Sequence, residues 1–557
     1  MIAPTLLSVL LASSAAAPPG DSLTELVRER LRNRLEAVPE PDDLRARGER
    51  VHASLALPMF YARRVYLPGW LDDGMPGDAA DALVAALRAA EREGLTPLDY
   101  HLAVLERTIR EVRDGARSQP ADTRRLADLD LLLTDAFMIY GSHLLQGRVN
   151  PETIDPEWFA NRRGADFAEV LETALREGTI RETLEELAPP QVGYERLRDA
   201  LVRYRRLVVA GGWAPIPAGP VIAAGDTDPR VPALRARLAA TGDLALPTTS
   251  GNDGPEQVDT VLAVALEQFQ ARHGLEADAR LTEATRTALN VPADVRMRQL
   301  ELNLERWRWL PQDLGPRHIL VNIAAFELDV VEEGSTAMSM RVMVGRPYRR
   351  TPVFTGLMTH LVLSPFWHVP RNIAVQDKLP EMRRDPSLLA RQRIRVFRGW
   401  GAEIEEIDPA AVEWSAVTAA NFDFRLRQDP GPQNALGRAK FMFPNRFNVY
   451  LHDTPTRELF ARAQRDFSSG CIRVERPLDL AEYLLREDPQ WTRPVIERVV
   501  SEARERTVPL PAPVPVHLLY WTAWADEDGT IQFRDDLYGR DRRLAPALTS
   551  PPPTEDR

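Results

Sequence analysis

Residues 448–485 read NVYLHDTPTRELFARAQRDFSSGCIRVERPLDLAEYLL and hold the chain's one cysteine, Cys471. His452 closes a strand-like run, Ser468-Ser469-Gly470 precede the thiol, and PLDLAEYLL opens a helix with Pro477 and Asp479 in its first turn. A cysteine ahead of a helix start lies near free backbone N–H groups, and a neighbouring imidazole lowers a thiol pKa by ion pairing. Gly470 lets the backbone approach a carbonyl closely, so its N–H and that of Cys471 are oxyanion-hole candidates. Arg473, two residues past the thiol on a strand, points to the same side and suits a carboxylate. A lone cysteine is also an ordinary small buried hydrophobe, so spacing alone leaves both readings open.

Working outward, the texture on both sides of this stretch is β-rich. HILVNIAAFELDVVEE (318–333), MSMRVMVGRP (338–347), THLVLSPFWHVP (359–370) and NRFNVYLHD (445–453) are short alternating or β-branched runs bounded by Gly, Pro and Asn. Between Lys378 and Asn421 the chain is charged and loop-like, which predicts an insertion. Near the C-terminus, Asp528-Gly529 between two β-like runs predicts a hairpin.

Upstream the periodicity is helical. LTELVRERLRNRLEAV (23–38), DAADALVAALRAAEREG (78–94) and RRLADLDLLLTDAFMIYGSHLLQG (124–147) carry apolar residues at three- and four-residue spacing, and Gly94 and Gly147 stand where a helix stops. His52, His101 and His143 show no ligand spacing and read as packing or polar residues. GGWAPIPAGPVI (211–222) is a linker, and AVALEQFQARHGLEADARLTEATRTALN (263–290) follows it. Val261, Ala265, Phe269 and Leu275 read as one buried face there, ended by Gly274. RMRQLELNLERWRWLP (296–311) is an amphipathic helix with Leu300, Leu304 and Trp307 together, returning to the helical block.

Composition bounds the rest. The chain has 557 residues, is 44% hydrophobic and 27% charged, and is globular in class and long enough for several domains. With 70 Lys+Arg against 81 Asp+Glu, the net charge of −11 gives no reason to expect a nucleic-acid partner. One cysteine excludes an intrachain disulfide, a Cys-rich metal site and a two-thiol redox cycle. We expect no metal and no cofactor. The opening MIAPTLLSVLLASSAAAPPG has the short apolar run and small residues of an export signal, without a preceding Lys or Arg. No stretch approaches ~20 uninterrupted apolar residues, so no permanent membrane anchor is expected.

HDTPTRELFARAQRDFSSGCIRV (452–474) resembles the signature of the L,D-transpeptidase catalytic domain: a histidine, a spacer, then Ser, any residue, Gly, Cys, an apolar residue and Arg. The matching residues are His452, Ser468, Gly470, Cys471, Ile472 and Arg473. Residues 345–380 and 428–455 are similar to the large periplasmic members of that family, and 263–290 resembles a small three-helix peptidoglycan-binding module, with Ala279 and Thr282 where that family has glycines. Ser469 stands where many members have a second histidine.

The resemblance implies a multidomain α+β chain: signal peptide 1–17, helical scaffold 18–215, peptidoglycan-binding-like module 216–293, scaffold return helix 294–311, and a β-rich catalytic domain 312–557 with a lid at about 378–421. It implies a periplasmic enzyme acting on peptidoglycan stem peptides and glycan strands, with other wall-synthesis enzymes as partners. Cys471 is the implied nucleophile, His452 the general acid/base, Gly470 the oxyanion-hole backbone, Arg473 a positioning residue, and the backbone carbonyl of Asp453 the orienter of the imidazole. Ser468, Ser469, Tyr450, Trp367 and Asn434 are substrate-binding candidates. Gly437 shapes a loop, and His368 and the lid arginines are further cavity candidates. Formation of 3→3 cross-links through a Cys thioester is the implied reaction; carboxypeptidase or endopeptidase hydrolysis and lipoprotein attachment share the same acyl-enzyme. A non-catalytic wall-binding scaffold is the reading from a different class, and it has no use for the full set of site residues. The pairing predicts Cys471 Sγ within roughly 4 Å of a His452 ring nitrogen.

Overall fold

A computed structural model describes residues 22–37, 44–115, 121–159, 163–245, 256–399 and 401–550; the signal read at 1–17 lies outside the described residues. The helical block is organised by Thr123–Gln146, which is buried on nearly all sides, as an apolar helix with polar exceptions must be. Asp122 caps its start through the Arg124 and Arg125 amides, and Gly147 at φ +82 ends it. Its buried carboxylates fasten the irregular segment before it. Asp130 accepts from Tyr61 Oη at 2.7 Å and from the Gly69 and Trp70 amides at 3.0 Å. Asp135 accepts from the His52 and Ala53 amides and meets His101 Nε2 at 2.7 Å. His143 Nδ1 bonds Tyr100 Oη at 3.0 Å, so these histidines serve the packing.

Helices Val231–Ala240, Thr260–Arg272 and Glu283–Leu289 share a small apolar core that includes Ile216, Leu234, Leu262, Phe269 and Leu289. Val261 is not part of the buried face read from the sequence: it is 64% exposed, and Leu262 is buried in its stead. The helix begins at Thr260, capped by Asp259 on the Leu262 amide, which turns the apolar stripe one residue further along. Ala279 sits at φ +55, a conformation glycine adopts more cheaply, and Thr282 caps the next helix through the Thr285 amide.

Helix Ala293–Arg308 places Leu300, Leu304 and Trp307 in the helical-block core, as read, and Leu302 with Trp309 in the core of the β region. Its charged face is not solvated, because the C-terminal segment and the helical block cover it. Arg306 pairs with Asp541 at 2.6 Å and Arg308 with Glu305 at 3.0 Å, while Glu305 Oε1 accepts the Val149 amide at 2.7 Å.

The β region is a closed barrel. Its strands are β1 (Arg317–Asn322), β2 (Glu327–Glu332), β3 (Ser335–Met343) and β4 (Phe354–Leu363), then β9 (Ala439–Met442), β10 (Leu451–His452), β11 (Ile472–Val474) and β12 (Arg506–Leu519). They follow the order β9-β10-β11-β3-β2-β1-β12-β4, with β4 closing on β9. Between β4 and β9 an antiparallel sheet is inserted, formed by β5 (Trp367–His368), β6 (Ile394–Arg398), β7 (Glu405–Ile407) and β8 (Arg425–Gln428) in the order β7-β6-β8-β5. Helical turns over 371–391 complete it around a core that includes Leu379, Met382, Val396, Trp414 and Phe422.

The insertion is therefore longer than the 378–421 read from the sequence, and it is a folded unit rather than a charged loop. Its exposed face carries the charge, and its apolar residues are too scattered along the chain to read as periodic. The C-terminal hairpin, β13 (Ala523–Ala525) and β14 (Ile531–Phe533), turns at Asp528-Gly529 as expected but packs into the helical-block core, not the barrel. Among the described residues no helix is long and apolar enough to cross a membrane.

Candidate active site

β10 and β11 run parallel, with Leu451 opposite Ile472 and His452 opposite Arg473. Leu451 and Ile472 are fully buried in the barrel core. Strand alternation then places Tyr450, His452, Cys471 and Arg473 together on the outer face. β9 flanks the other edge of β10 and sets Lys440 opposite His452. All five side chains line one cavity of about 1330 Å³, closed opposite them by insertion residues including Trp367, His368, Gln376 and Asp377.

His452 is 5% exposed, and its Nδ1 lies 2.5 Å from the Asp453 carbonyl. That carbonyl can only accept, so the Nδ1 proton is fixed there and Nε2 keeps its lone pair. Burial, then the neighbouring Arg473 cation, hold the imidazole down to about 3. It is therefore a neutral base across the physiological range. The Asp453 carboxylate is committed elsewhere, accepting from Arg438 Nε at 2.9 Å and Arg457 Nη1 at 3.1 Å. Gly437, at φ +61, abuts it: a Cβ there would stand 2.5 Å from Asp453 Cβ.

One expectation for the thiol needs correction. Cys471 leads into β11, and the following helix (Pro477–Leu485) starts only beyond that strand, so its N-terminal amides are not next to the sulfur. Nor does a hydrogen bond join Cys471 to His452; the thiol faces the Asn448 carbonyl at 3.8 Å. Burial pushes the thiol up, opposed by Tyr450, Lys440 and Arg473. Both shifts favour the uncharged forms, a thiol beside an imidazole. Tyr450 is itself pushed up by burial and then by the adjacent sulfur.

The loop before Cys471 is braced from within. Ser468, 2% exposed, accepts the Gly470 amide at 3.1 Å and donates to the Cys471 carbonyl at 2.5 Å. Thr351 Oγ1 donates to the Gly470 carbonyl at 2.9 Å, and Gly470 takes φ +113, which a side chain would strain. The expected oxyanion role of the Gly470 amide is thus not available in this structure, since Ser468 holds that N–H. The Cys471 amide has no hydrogen-bond partner among the described residues and is the free donor. Ser468 lines the cavity and also braces the loop.

Asn434, 1% exposed, does not reach the cavity; its amide donates to the Pro365 and Asp429 carbonyls at 3.0 Å and accepts from the Leu436 N–H at 2.8 Å. Ser469 and Trp367 do line the cavity; Ser469 Oγ accepts from Arg349 Nη1 at 2.9 Å.

The sequence reading missed two residues here. Lys440 sits between buried Ala439 and Phe441, an alternation that marks it as outward but says nothing of its neighbour His452. Arg349 joins the insertion to the cysteine loop, bonding Asp377 at 2.5 and 2.8 Å and Gln376 at 2.8 Å besides Ser469. Among the described residues no group of three or more His, Cys, Asp or Glu is placed to hold a metal ion.

Comparison with known proteins agrees with this geometry. Residues 316–500 match the L,D-transpeptidase catalytic domain, and residues 56–201 match a scaffold domain. A Haemophilus influenzae protein bearing the L,D-transpeptidase name is 36% identical over 246 residues, 44% of this chain and 48% of the relative. The chain thus spans about half the length of that curated relative.

Solved L,D-transpeptidases from Xylanimonas cellulosilytica and Stackebrandtia nassauensis are each 14% identical. The first match covers 54% of this chain and 98% of that one at TM-score 0.18. The second covers 57% and 100% at TM-score 0.21, and at such scores neither superposition adds to the argument. The domain match falls on the barrel that presents Cys471 and His452: residues 316–500 are similar to the L,D-transpeptidase catalytic domain.

Proposed function

We propose that the protein is a periplasmic L,D-transpeptidase that joins two peptidoglycan stem peptides by a 3→3 cross-link. The observation that carries the reading is the shared outer face of β10 and β11, which sets a thiol, a neutral imidazole and a guanidinium on one wall of a large cavity. In the first step Cys471 Sγ attacks the carbonyl of the donor's diaminopimelate, and its proton passes to His452 Nε2, the nitrogen left free by the Asp453 carbonyl. The free Cys471 amide faces the developing oxyanion. The C–N bond breaks, D-alanine leaves with the proton from His452, and a thioester remains. The side-chain amine of a second stem then attacks the thioester, gives its proton to His452 and releases the thiol.

A cavity of about 1330 Å³, larger than one small ligand needs, favours a second peptide over water as acceptor. Arg473 Nε is buried without a hydrogen-bond partner, which suits a guanidinium awaiting a substrate carboxylate. The three-helix unit at 216–293 is proposed to contact the wall.

The test is incubation of the full-length protein with disaccharide-tetrapeptide and mass spectrometry of the products. A dimer lacking D-alanine is expected. Tripeptide monomer alone would replace transfer with hydrolysis, and products unchanged in Cys471→Ala would remove the proposed nucleophile.

A further inference from the structure

Lys440 lies on β9 between Ala439 and Phe441, both fully buried, so its side chain leaves the barrel on the face shared with His452. Its Nζ stands 3.9 Å from the centroid of the Tyr450 ring, within cation–π range, and the ring's own neighbour on that face is Cys471. Among the described residues it makes no ion pair; the charges that act on it are Cys471 and then Glu505. An ammonium half-withdrawn from water and left unpaired is costly, and burial does pull its pKa down. Such a charge is kept where a negative charge is to form.

The charged and titratable groups around it are few. They are His452 and Tyr450 from β10, Cys471 and Arg473 at β11, His368 from β5, and Glu505 just before β12. Glu505 is held by the Phe366 amide at 2.7 Å. His452, its Nδ1 hydrogen-bonded to the Asp453 carbonyl and its protonation disfavoured by burial, brings no positive charge to the sulfur before the proton moves.

We propose that Lys440 is a positioning residue for the nucleophile, its ammonium fixed over the Tyr450 ring as the positive charge against which the Cys471 sulfur ionises. This rests on the reading of Cys471 as nucleophile. It differs from an ion pair with histidine: the cation is placed by the β9–β10 register and does not depend on the imidazole, which acts as base. No atom is transferred to or from Lys440. Its ammonium keeps its protons while the sulfhydryl proton moves to His452 Nε2 and the S–C bond forms.

The experiment is alkylation of the full-length protein by iodoacetamide, followed by intact mass across about pH 6 to about pH 10. Cys471 is the only cysteine, so the label reports that thiol alone. Lys440→Met is expected to raise the apparent thiol pKa by about one unit and to slow alkylation at neutral pH about tenfold, since an opposite charge nearby is worth at least that. Lys440→Gln should do the same, and Lys440→Arg should restore the wild-type profile. A profile unchanged in both neutral variants, with a raised KM for the stem peptide, would overturn the proposal and place Lys440 on a substrate carboxylate. Stem-peptide turnover does not enter the alkylation measurement, so a failure of the transpeptidase reading is separately visible.

Discussion

His452 owes its chemistry to one backbone contact and to burial. With Nδ1–H held by the Asp453 carbonyl and the imidazole brought down to about 3, the ring is expected to stay uncharged through neutral pH. A thiol raised by burial stays protonated through neutral pH, so its alkylation should climb with pH beyond the ordinary thiol range rather than reach a plateau below it. His452→Ala should therefore cut turnover about 10²- to 10⁴-fold, the usual worth of a general base, and leave the alkylation profile within a few tenths of a pH unit. An upward shift of about one unit would mean that an imidazolium had been supporting the thiolate.

At this scale the sequence was readable where the residue type is rare. One cysteine, a histidine upstream and an arginine two positions on drew attention to this stretch, and the family resemblance, not the spacing, chose between its readings. Asn434 does not reach the cavity, and the sequence could not show this, because polarity does not say whether a side chain faces a cavity or its own backbone. Lys440 was missed because its meaning lies in strand register, which no local pattern records.

Among the elements, the Arg349 side chain ties the insertion to the loop that carries Cys471. Arg349 reaches Asp377 and Gln376 on the insertion and Ser469, two residues before the thiol. Charge-assisted bonds of this kind contribute about 1.5–3 kcal/mol where water is partly excluded, and Arg349 is only 12% exposed. Arg349→Met should speed amide exchange over residues 371–384 about tenfold, by hydrogen–deuterium exchange mass spectrometry, while barrel strands β1 and β2 stay protected. Unaltered exchange over the insertion would mean that its own core fixes its position. The barrel strands were legible because one face is apolar and the alternation is regular. The insertion was not, because its strands are short and its core residues come from four separated segments.

For the whole molecule, the helix Ala293–Arg308 is the shared beam, contributing to both large cores and burying ionic groups between them. Its amphipathic pattern revealed one face; the second is charged and covered, a situation sequence periodicity cannot distinguish from solvent. Glu305 is fully buried, neutralises Arg308 and accepts the Val149 amide. Glu305→Ala strands a buried guanidinium and should lower stability by about 3–5 kcal/mol, measured as a shift of the urea unfolding midpoint of the full chain. Glu305→Gln, which keeps an acceptor for the amide, should lose less. A loss below about 1 kcal/mol in the alanine variant would show that the interface relaxes around the empty place.

The central claim, that Cys471 becomes acylated by a stem peptide, is tested most directly by intact-protein mass spectrometry after rapid mixing with a tetrapeptide donor and no amine acceptor. The account predicts a covalent adduct equal to the donor less D-alanine, mapped by digestion to the peptide containing Cys471 and absent from Cys471→Ala. An adduct that persists in that variant, or turnover of the donor with no adduct at the sulfur, would contradict it.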